Sequence, residues 1–385
     1  MKIVHICLGN YYIDNMSYQE NALPKAHKLA GYDVSLIVSP YTFDKDGKIF
    51  YRETGKYTNK DGIPVTVLPY SKIPLLGRLM KFFPIFFNTL EEENPDILFV
   101  HGPQFFGNIH LKKYKKRHPQ VKIFCDNHSD YINTPSNTLK YYILNKLFWP
   151  AAVRQIRNTV DYFWGVTPSR VEFLKERYHI PADKIGLLCM GGDDTLIDYE
   201  NRESIRRKIR QKLNIGESDF VIITGGKLNR NKKIGELVKS FISLDRTDIH
   251  LIVFGEFAPD VSDVKALCDK RDNIHLLGWI NIEEEYLYFM ASDLGIFPGT
   301  HSVLWEQAAA CGLPCIYRKW DGFDHVLVHG NCILTDRVDQ QSLADLIASL
   351  IQNKTTYLDL KNGAEKARSH FLYSTIAERS LITRK

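Results

Sequence analysis

Residues Ala291 to Pro314 read ASDLGIFPGTHSVLWEQAAACGLP. LGIFP is a short apolar run that fits the end of a buried strand. PGTHS is turn chemistry, and VLWEQAAACG reads as a helix start followed by small residues. A strand feeding a helix through a Gly-containing turn is a usual ligand position in an open α/β sheet. The N-terminus of such a helix presents free N–H groups and a positive dipole end, so it stabilises an anion. Glu306 stands in that first helical turn. Two readings are open for it: the carboxylate complements the helix dipole, or it accepts hydrogen bonds from a diol such as a ribose or a sugar.

The same rhythm recurs outward in both directions. Towards the N-terminus, Phe220–Thr224 reads as a strand ending at Gly225-Gly226, Ile234–Leu244 as a helix, His250–Phe254 as a strand ending at Gly255, and Ile274–Leu277 as a strand ending at Gly278. Glu283–Met290 is helical, Cys315–Tyr317 is a further strand, and Gln341–Ile351 and Lys354–Phe371 are helices. The chain opens in the same way: strand Lys2–Leu8, a break at Gly9-Asn10, helix Ser17–Leu29, and strand Tyr32–Val38. The first loop lacks the spaced glycines of a dinucleotide fingerprint, which argues against NAD there. Glu203–Leu213 is heavily charged and reads as a linker. Two successive α/β sheets with ligand-type loops at their strand ends predict two doubly wound, Rossmann-like domains with a cleft between them.

Composition sets the outer bounds. At 385 residues the chain exceeds one ordinary core, and 44% hydrophobic with 25% charged residues is a globular balance. A net charge of +5 is a mild excess and does not point to nucleic acid, which favours a clustered basic face. The seven cysteines are scattered through mostly apolar runs, without zinc spacing, and read as reduced, buried thiols of a cytoplasmic protein. Met1-Lys2 leads into a strand rather than a signal sequence, and no run is long enough to span a bilayer, so any membrane contact is expected to be peripheral.

Taken in order, GGKLNRNKKIGELVKSF, HLIVFGEF, NIHLLGWI, LYFMASDLGIFPG and EQAAACGLP resemble the second domain of GT-B-fold glycosyltransferases, in particular retaining family 4. YQENALPKAHKLAGYDVSLI, NPDILFVHG and MGGDD have counterparts in the first. The resemblance covers nearly the whole chain. It implies an acceptor-side domain over residues 1–195, a donor-binding domain over 196–371, and a C-terminal helix at about 372–385 that packs back on the first domain. It also implies sugar transfer from a nucleotide-sugar donor to an acceptor hydroxyl with retention, and no metal or other cofactor. The family's diphosphate-holding Arg and Lys correspond here to Lys227 and Lys232, whose fixed charge would stabilise the leaving group. A lysine at the first position keeps the charge but loses the bidentate fork. The plain alternative is a solvated basic loop. Gly225, Gly226, Gly255 and Gly9 resemble loop positions near the donor. Gly278-Trp279-Ile280 resembles the loop that meets the base, with Trp279 equally readable as a core aromatic. Glu306 matches the carboxylate bonded to the ribose hydroxyls.

The sequence departs from the family eight residues earlier, where the carboxylate expected at the transferred sugar is Pro298. Gly299, Thr300, His301 and Ser302 replace the usual acidic, Gly-rich turn and are expected to face the sugar instead, or His301 is an ordinary helix-start residue. In the first domain, His128 in DNHSD resembles a histidine near the transferred sugar, or is a satisfied structural histidine. Tyr18, Gln19, Glu20 and Asn21 correspond to the acceptor side, and Glu20 also reads as a helix N-terminal acid. Asp44-Lys45-Asp46 reads as a solvated turn, and Asp193-Asp194 is a weak metal candidate.

Pro74–Phe87, Leu139–Trp164 and the basic run Lys112–Arg117 mix aromatic, aliphatic and cationic residues. They fit either an anionic membrane surface with a lipid-linked or glycan acceptor, or ordinary helices with snorkelling cations. Surface polysaccharide or cell-envelope glycan assembly at the inner face of the membrane is the expected setting. The rival from another class, motivated by Pro298, is a non-catalytic GT-B-like subunit that stabilises a partner glycosyltransferase.

Overall fold

The computed structural model describes residues 1–43, 48–73, 75–134 and 138–382. The Asp44–Asp46 motif therefore lies outside the described residues. The chain separates into two compact units, Met1–Cys189 with Ile376–Lys385, and Met190–Thr375.

The first unit runs β1 (Lys2–Cys7), α1 (Gln19–Leu29), β2 (Asp33–Val38), β3 (Tyr41–Phe43), β4 (Ile49–Tyr51), β5 (Gly55–Thr58), β6 (Pro64–Val67), α2 (Phe86–Glu93), β7 (Ile97–His101), α3 (Ile109–Arg117), β8 (Lys122–Asn127), α4 (Leu139–Ile143), α5 (Trp149–Ile156), β9 (Tyr162–Gly165), α6 (Pro168–Tyr178) and β10 (Ile185–Leu187). Its main sheet has the order β10-β9-β8-β7-β1-β2-β6-β5, parallel except for the β5 edge. The order reverses between β1 and β7. One face of the central strands is apolar: Val4, Ile6, Leu98, Val100, Ile123 and Cys125 join a buried cluster with Phe86, Leu111 and Phe163. Period-2 alternation puts His5, His101 and Asp126 on the opposite face. That face carries the unit's polar chemistry.

The second unit runs α7 (Arg202–Lys212), β11 (Phe220–Leu228), α8 (Ile234–Ser243), β12 (Ile249–Phe257), α9 (Ser262–Cys268), β13 (Ile274–Gly278), α10 (Ile282–Ala291), β14 (Leu294–Phe297), α11 (Leu304–Ala310), β15 (Cys315–Arg318), β16 (Cys332–Thr335), α12 (Gln340–Gln352) and α13 (Lys354–Ala367). Helix α14 (Tyr373–Ser380) then leads into the C-terminal residues that belong with the first unit. All pairings in the β13-β12-β11-β14-β15-β16 sheet are parallel. Here the order reverses between β11 and β14. Both units are Rossmann-like α/β folds, as the sequence predicts.

One expectation needs correction. The charged segment Glu203–Leu213 is not a linker but helix α7 inside the second unit. Its arginines recur at helical spacing and do structural work. Arg202 Nε donates to Met290 O at 3.2 Å and Arg206 Nη1 to Ala291 O at 3.1 Å. Buried Arg210 donates to Gly216 O, Glu217 O and Asp219 O and pairs with Asp293 at 2.6 Å. Arg202 and Arg206 thus satisfy carbonyls at the end of α10, and Arg210 those of the turn before β11, which the composition of the segment does not reveal.

Candidate functional site

In the second unit the ligand-type loops gather where the strand order reverses, the position at which open α/β sheets bind ligands. Strand β11 is longer than the sequence predicts and carries Gly225, Gly226 and Lys227 within it. Gly226 pairs with Gly255 of β12. Gly255 has φ +105°, and a Cβ there would lie 1.9 Å from Gly226 O. Close strand packing therefore accounts for this glycine locally. Lys227 is exposed.

Lys232 closes the tight turn after β11, which Asn229 caps by accepting from Lys232 N at 3.2 Å. Its Nζ donates to Thr300 O at 2.6 Å. Burial pushes the ammonium down to about 8. Gly299 lets the β14–α11 loop lie against this turn, since a Cβ would sit 2.2 Å from Lys232 Cα. Thr300 N donates to Asn231 O at 3.2 Å, and Trp320 Nε1 to Gly299 O at 3.1 Å. The structure thus brings together Lys232, Gly299, Thr300 and Ser302 around a small cavity also lined by Pro298 and Trp305.

Glu306 lies in α11, fully buried. Its Oε1 accepts from His301 Nε2 at 2.8 Å and from His325 Nε2 at 2.8 Å. Burial opposes its ionisation, but the two imidazoles outweigh burial and hold the carboxyl at about 2. Its other oxygen, Oε2, is buried and has no hydrogen-bond partner. Trp305 beside it stacks on Tyr317, with ring centroids 4.5 Å apart, while Tyr317 Oη donates to Trp305 O. His301 is wedged between Trp305 and Phe323. The plain helix-dipole reading of Glu306 does not account for this clamp. His325 is the partner that the sequence does not single out: it sits in a short turn after β15, 19 residues from Glu306. The three ligand-type atoms lie within 4.8 Å of one another. Ligand atoms around a zinc ion at about 2.0–2.1 Å stand roughly 3.3 Å apart, so the two 2.8 Å separations are those of hydrogen bonds.

Trp279 does not sit with this group in a core. It is 66% exposed at the end of β13, after Gly278 and before half-buried Ile280, which overturns the core-aromatic reading.

In the first unit, His128 follows β8. Its Nε2 lies 3.5 Å from Asp126 Oδ1, and the side chain is 21% exposed. Burial lowers the His128 pKa, but Asp126 outweighs that and raises it overall. Asp126 is fully buried, and burial opposes its ionisation. His101 and His128 nevertheless keep its carboxyl well below the usual range. His101 Nδ1 is 2.7 Å from Asp126 Oδ2, Gln19 Nε2 donates to the same oxygen at 3.0 Å, and Gly102 N donates to Oδ1. Gln19 is therefore an anchor for Asp126. Tyr18 is the N-cap of α1, Glu20 is buried in its first turn, and Asn21 Nδ2 holds the preceding loop through Ile13 O. Lys81, which the sequence reading places only among the cations of the Pro74–Phe87 stretch, donates to Gly9 O, and burial pushes its ammonium down to about 8.

The basic-aromatic stretches divide between core and surface. Phe83, Phe86, Phe87, Trp149, Val153 and Ile156 are buried core residues. Leu139, Tyr141, Tyr142, Ile143 and Leu147 are exposed, together with Lys146. All seven cysteines are buried thiols, none of them in a disulfide. Among the described residues, no helix is long and apolar enough to cross a membrane.

Two parallel-sheet units with ligand-type loops at the strand ends define a GT-B class of protein, and comparison with known proteins agrees. Residues 22–195 match Glycosyltransferase Family 4, and residues 205–367 match Glycosyl transferases group 1. The chain belongs to the GT-B glycosyltransferases of this family 4, group 1 type. It is 23% identical over 287 residues to alpha-monoglucosyldiacylglycerol synthase of Acholeplasma laidlawii, covering 70% of this chain and 69% of that protein. Among solved structures it resembles sucrose-phosphate synthase of Thermosynechococcus elongatus, with a TM-score of 0.65, 16% identity and 98% and 96% coverage. It also resembles the HepE protein of Anabaena in complex with UDP, with a TM-score of 0.66, 18% identity and 98% of each chain covered.

Proposed function

We propose that this glycosyltransferase moves a hexosyl group from a nucleotide-sugar to a hydroxyl of a lipid-linked or glycan acceptor, with retention and without a metal. The observation that carries the donor side is Glu306: an ionised, buried carboxylate clamped through one oxygen, with the other buried and unpartnered. Such an oxygen is an acceptor awaiting a donor, and a ribose diol supplies two hydroxyls. Lys232 and Lys227 hold the diphosphate and stabilise the charge it gains as the sugar departs. The loop Gly299–Ser302 faces the sugar in place of the missing acid at Pro298. Exposed Trp279 offers an aromatic face to the base. His128, kept basic by Asp126, serves the transferred sugar, and the α1 start at Tyr18, Gln19, Glu20 and Asn21 serves the acceptor side.

The acceptor class rests on the exposed apolar side chains of Leu139, Tyr142, Ile143 and Leu147, and on the relative from glycolipid synthesis. Action at the cytoplasmic face of a membrane, in cell-envelope glycan or surface polysaccharide synthesis, follows from that reading. The test has two arms. A thermal-shift panel of UDP, GDP, ADP, CMP and dTDP, each with its sugars and with EDTA present, identifies the donor by mass-action stabilisation. Product formation is then measured with that donor on anionic vesicles carrying diacylglycerol or a glycolipid acceptor. One stabilising nucleotide with product on vesicles is the expected result. Binding without turnover on any acceptor favours the partner-subunit reading, and no binding removes the donor site.

A further inference from the structure

Three buried histidines stand in file behind His128. His101 ends β7 with Nδ1 2.7 Å from Asp126 Oδ2, and its Nε2 is 2.9 Å from His5 Nδ1 on β1. His5 Nε2 is 3.1 Å from His27 Nδ1 on α1. His27 Nε2 is 3.0 Å from Ser380 Oγ and 3.2 Å from Ala377 O, both on α14. All three rings are fully buried. The register explains the alignment. His101 is opposite Asp126, and His5 is opposite Phe99, one pleat from His101, so all project from one sheet face. Helix α1 covers that face and brings His27. Trp164 Nε1 fixes the far end by donating to Ser380 O at 3.0 Å.

A proton count gives the file a direction. Four links join Ser380, His27, His5, His101 and Asp126, and each link needs one proton. Three neutral imidazoles bring three. Ser380 Oγ also lies 2.8 Å from Ala377 O, so its one proton is placed either there or on the His27 link. With Ser380 Oγ–H donating to His27 Nε2, each imidazole carries its proton on Nδ1, and the last N–H points at the Asp126 carboxylate. Every link is then filled and the carboxylate keeps its charge. If His27 Nε2–H points at Ala377 O instead, every tautomer reverses. His101 Nδ1 then faces Asp126 Oδ2 lone pair to lone pair, unless one further proton enters between them.

We propose that Ser380 is a positioning residue for His128: its hydroxyl, delivered by α14, sets the direction of all three imidazoles and thereby the charge Asp126 presents to His128. The surroundings favour the neutral file. Burial, with the neighbouring histidines, pushes His5 well below its ordinary value, and burial takes His27 down to about 4. The other groups facing the site are Glu20 from α1 and Arg170 from α6, both acting on His128, and Cys7 from β1, whose thiol burial keeps neutral. The file itself stands on geometry within the first unit, while its bearing on turnover rests on the function proposed for His128.

The experiment is imidazole 15N NMR on the full chain with labelled histidine, for wild type, Ser380→Ala and Ser380→Thr. The expected wild-type pattern is the Nδ1–H tautomer at His5, His27 and His101, with the His101 proton far downfield. Ser380→Ala should switch His5 and His27 to Nε2–H and lower the His128 titration midpoint by about one pH unit, as a charge beside it is neutralised. Ser380→Thr should restore the wild-type pattern. Nε2–H at His5 in the wild type, or unchanged tautomers in Ser380→Ala, would overturn the proposal. In the turnover assay, the acid limb of the pH profile should follow His128. A fixed limb alongside switched tautomers counts against His128 in the reaction and leaves the file standing.

Discussion

Each unit buries one carboxylate between two histidines at its strand ends, yet the two clusters present opposite groups. In the second unit His301 and His325 converge on a single oxygen of Glu306 and leave the other without a partner. In the first unit both oxygens of Asp126 are engaged, by His101 and Gln19 on one side and by Gly102 N and the nearby His128 on the other. What remains there is the partly exposed imidazole of His128, its buried Nε2 turned towards Asp126 Oδ1 at 3.5 Å. The same residue types thus build a carboxylate acceptor in one unit and a basic imidazole in the other. Which group is offered depends on how many donors the fold supplies to the acid.

This contrast predicts unequal responses to the same change. Asp126→Asn weakens the hydrogen bonds that the buried carboxylate accepts from His101, Gln19 and Gly102, at about 1.5–3 kcal/mol for each bond to a charged group, read as a lower urea midpoint. Acid should also act through the histidine file. The unfolded chain binds a proton at His27 near 6.5, whereas the folded chain keeps it neutral down to about 4. The unfolded state therefore takes up more protons in that window, and stability falls as pH drops from 6.5 to 4. That one group accounts for about 3 kcal/mol, and His275, also held at about 4 by burial, adds in the same direction. A flat melting temperature across that range would break the account of neutral, buried imidazoles.

Glu306→Gln should cost up to about 3 kcal/mol of stability, because a carboxyl held at about 2 in the folded chain favours folding at neutral pH, and it should weaken nucleotide binding by about 10- to 100-fold, the range for losing hydrogen bonds to a charged acceptor. The smallest effect concerns Lys232. Its ammonium deprotonates near 8 without ligand, so nucleoside diphosphate affinity should decline by up to about tenfold per pH unit above that value. Affinity that is level from pH 7 to 9.5 would remove Lys232 from the diphosphate site.

The sequence made the strand–loop–helix rhythm legible because apolar periodicity and Gly-containing breaks are local signals. It marked Glu306 and His301, five residues apart on one turn. It could not mark His325, which reaches Glu306 only after β15 has crossed the sheet. His5, His27 and His101 are equally mute as letters, being spread over 96 residues and joined by strand register. The charged α7 misled for a related reason: Arg210 looks solvated until the carbonyls it serves are folded around it. Glycine was ambiguous too. Gly225 and Gly255 read as loop positions near a ligand, yet a Cβ on Gly225 would strike the Phe254 ring at 2.3 Å, a constraint from the chain's own packing.

The central claim is that the unpartnered oxygen of Glu306 receives the donor's ribose. It is tested most directly by calorimetric titration of the stabilising nucleoside diphosphate and its 2′-deoxy analogue into wild type and Glu306→Gln. The account predicts that the ribonucleotide binds wild type more tightly than the deoxy form and that the preference disappears in the variant. Equal affinity for both sugars in wild type, or an undiminished preference in Glu306→Gln, would contradict it.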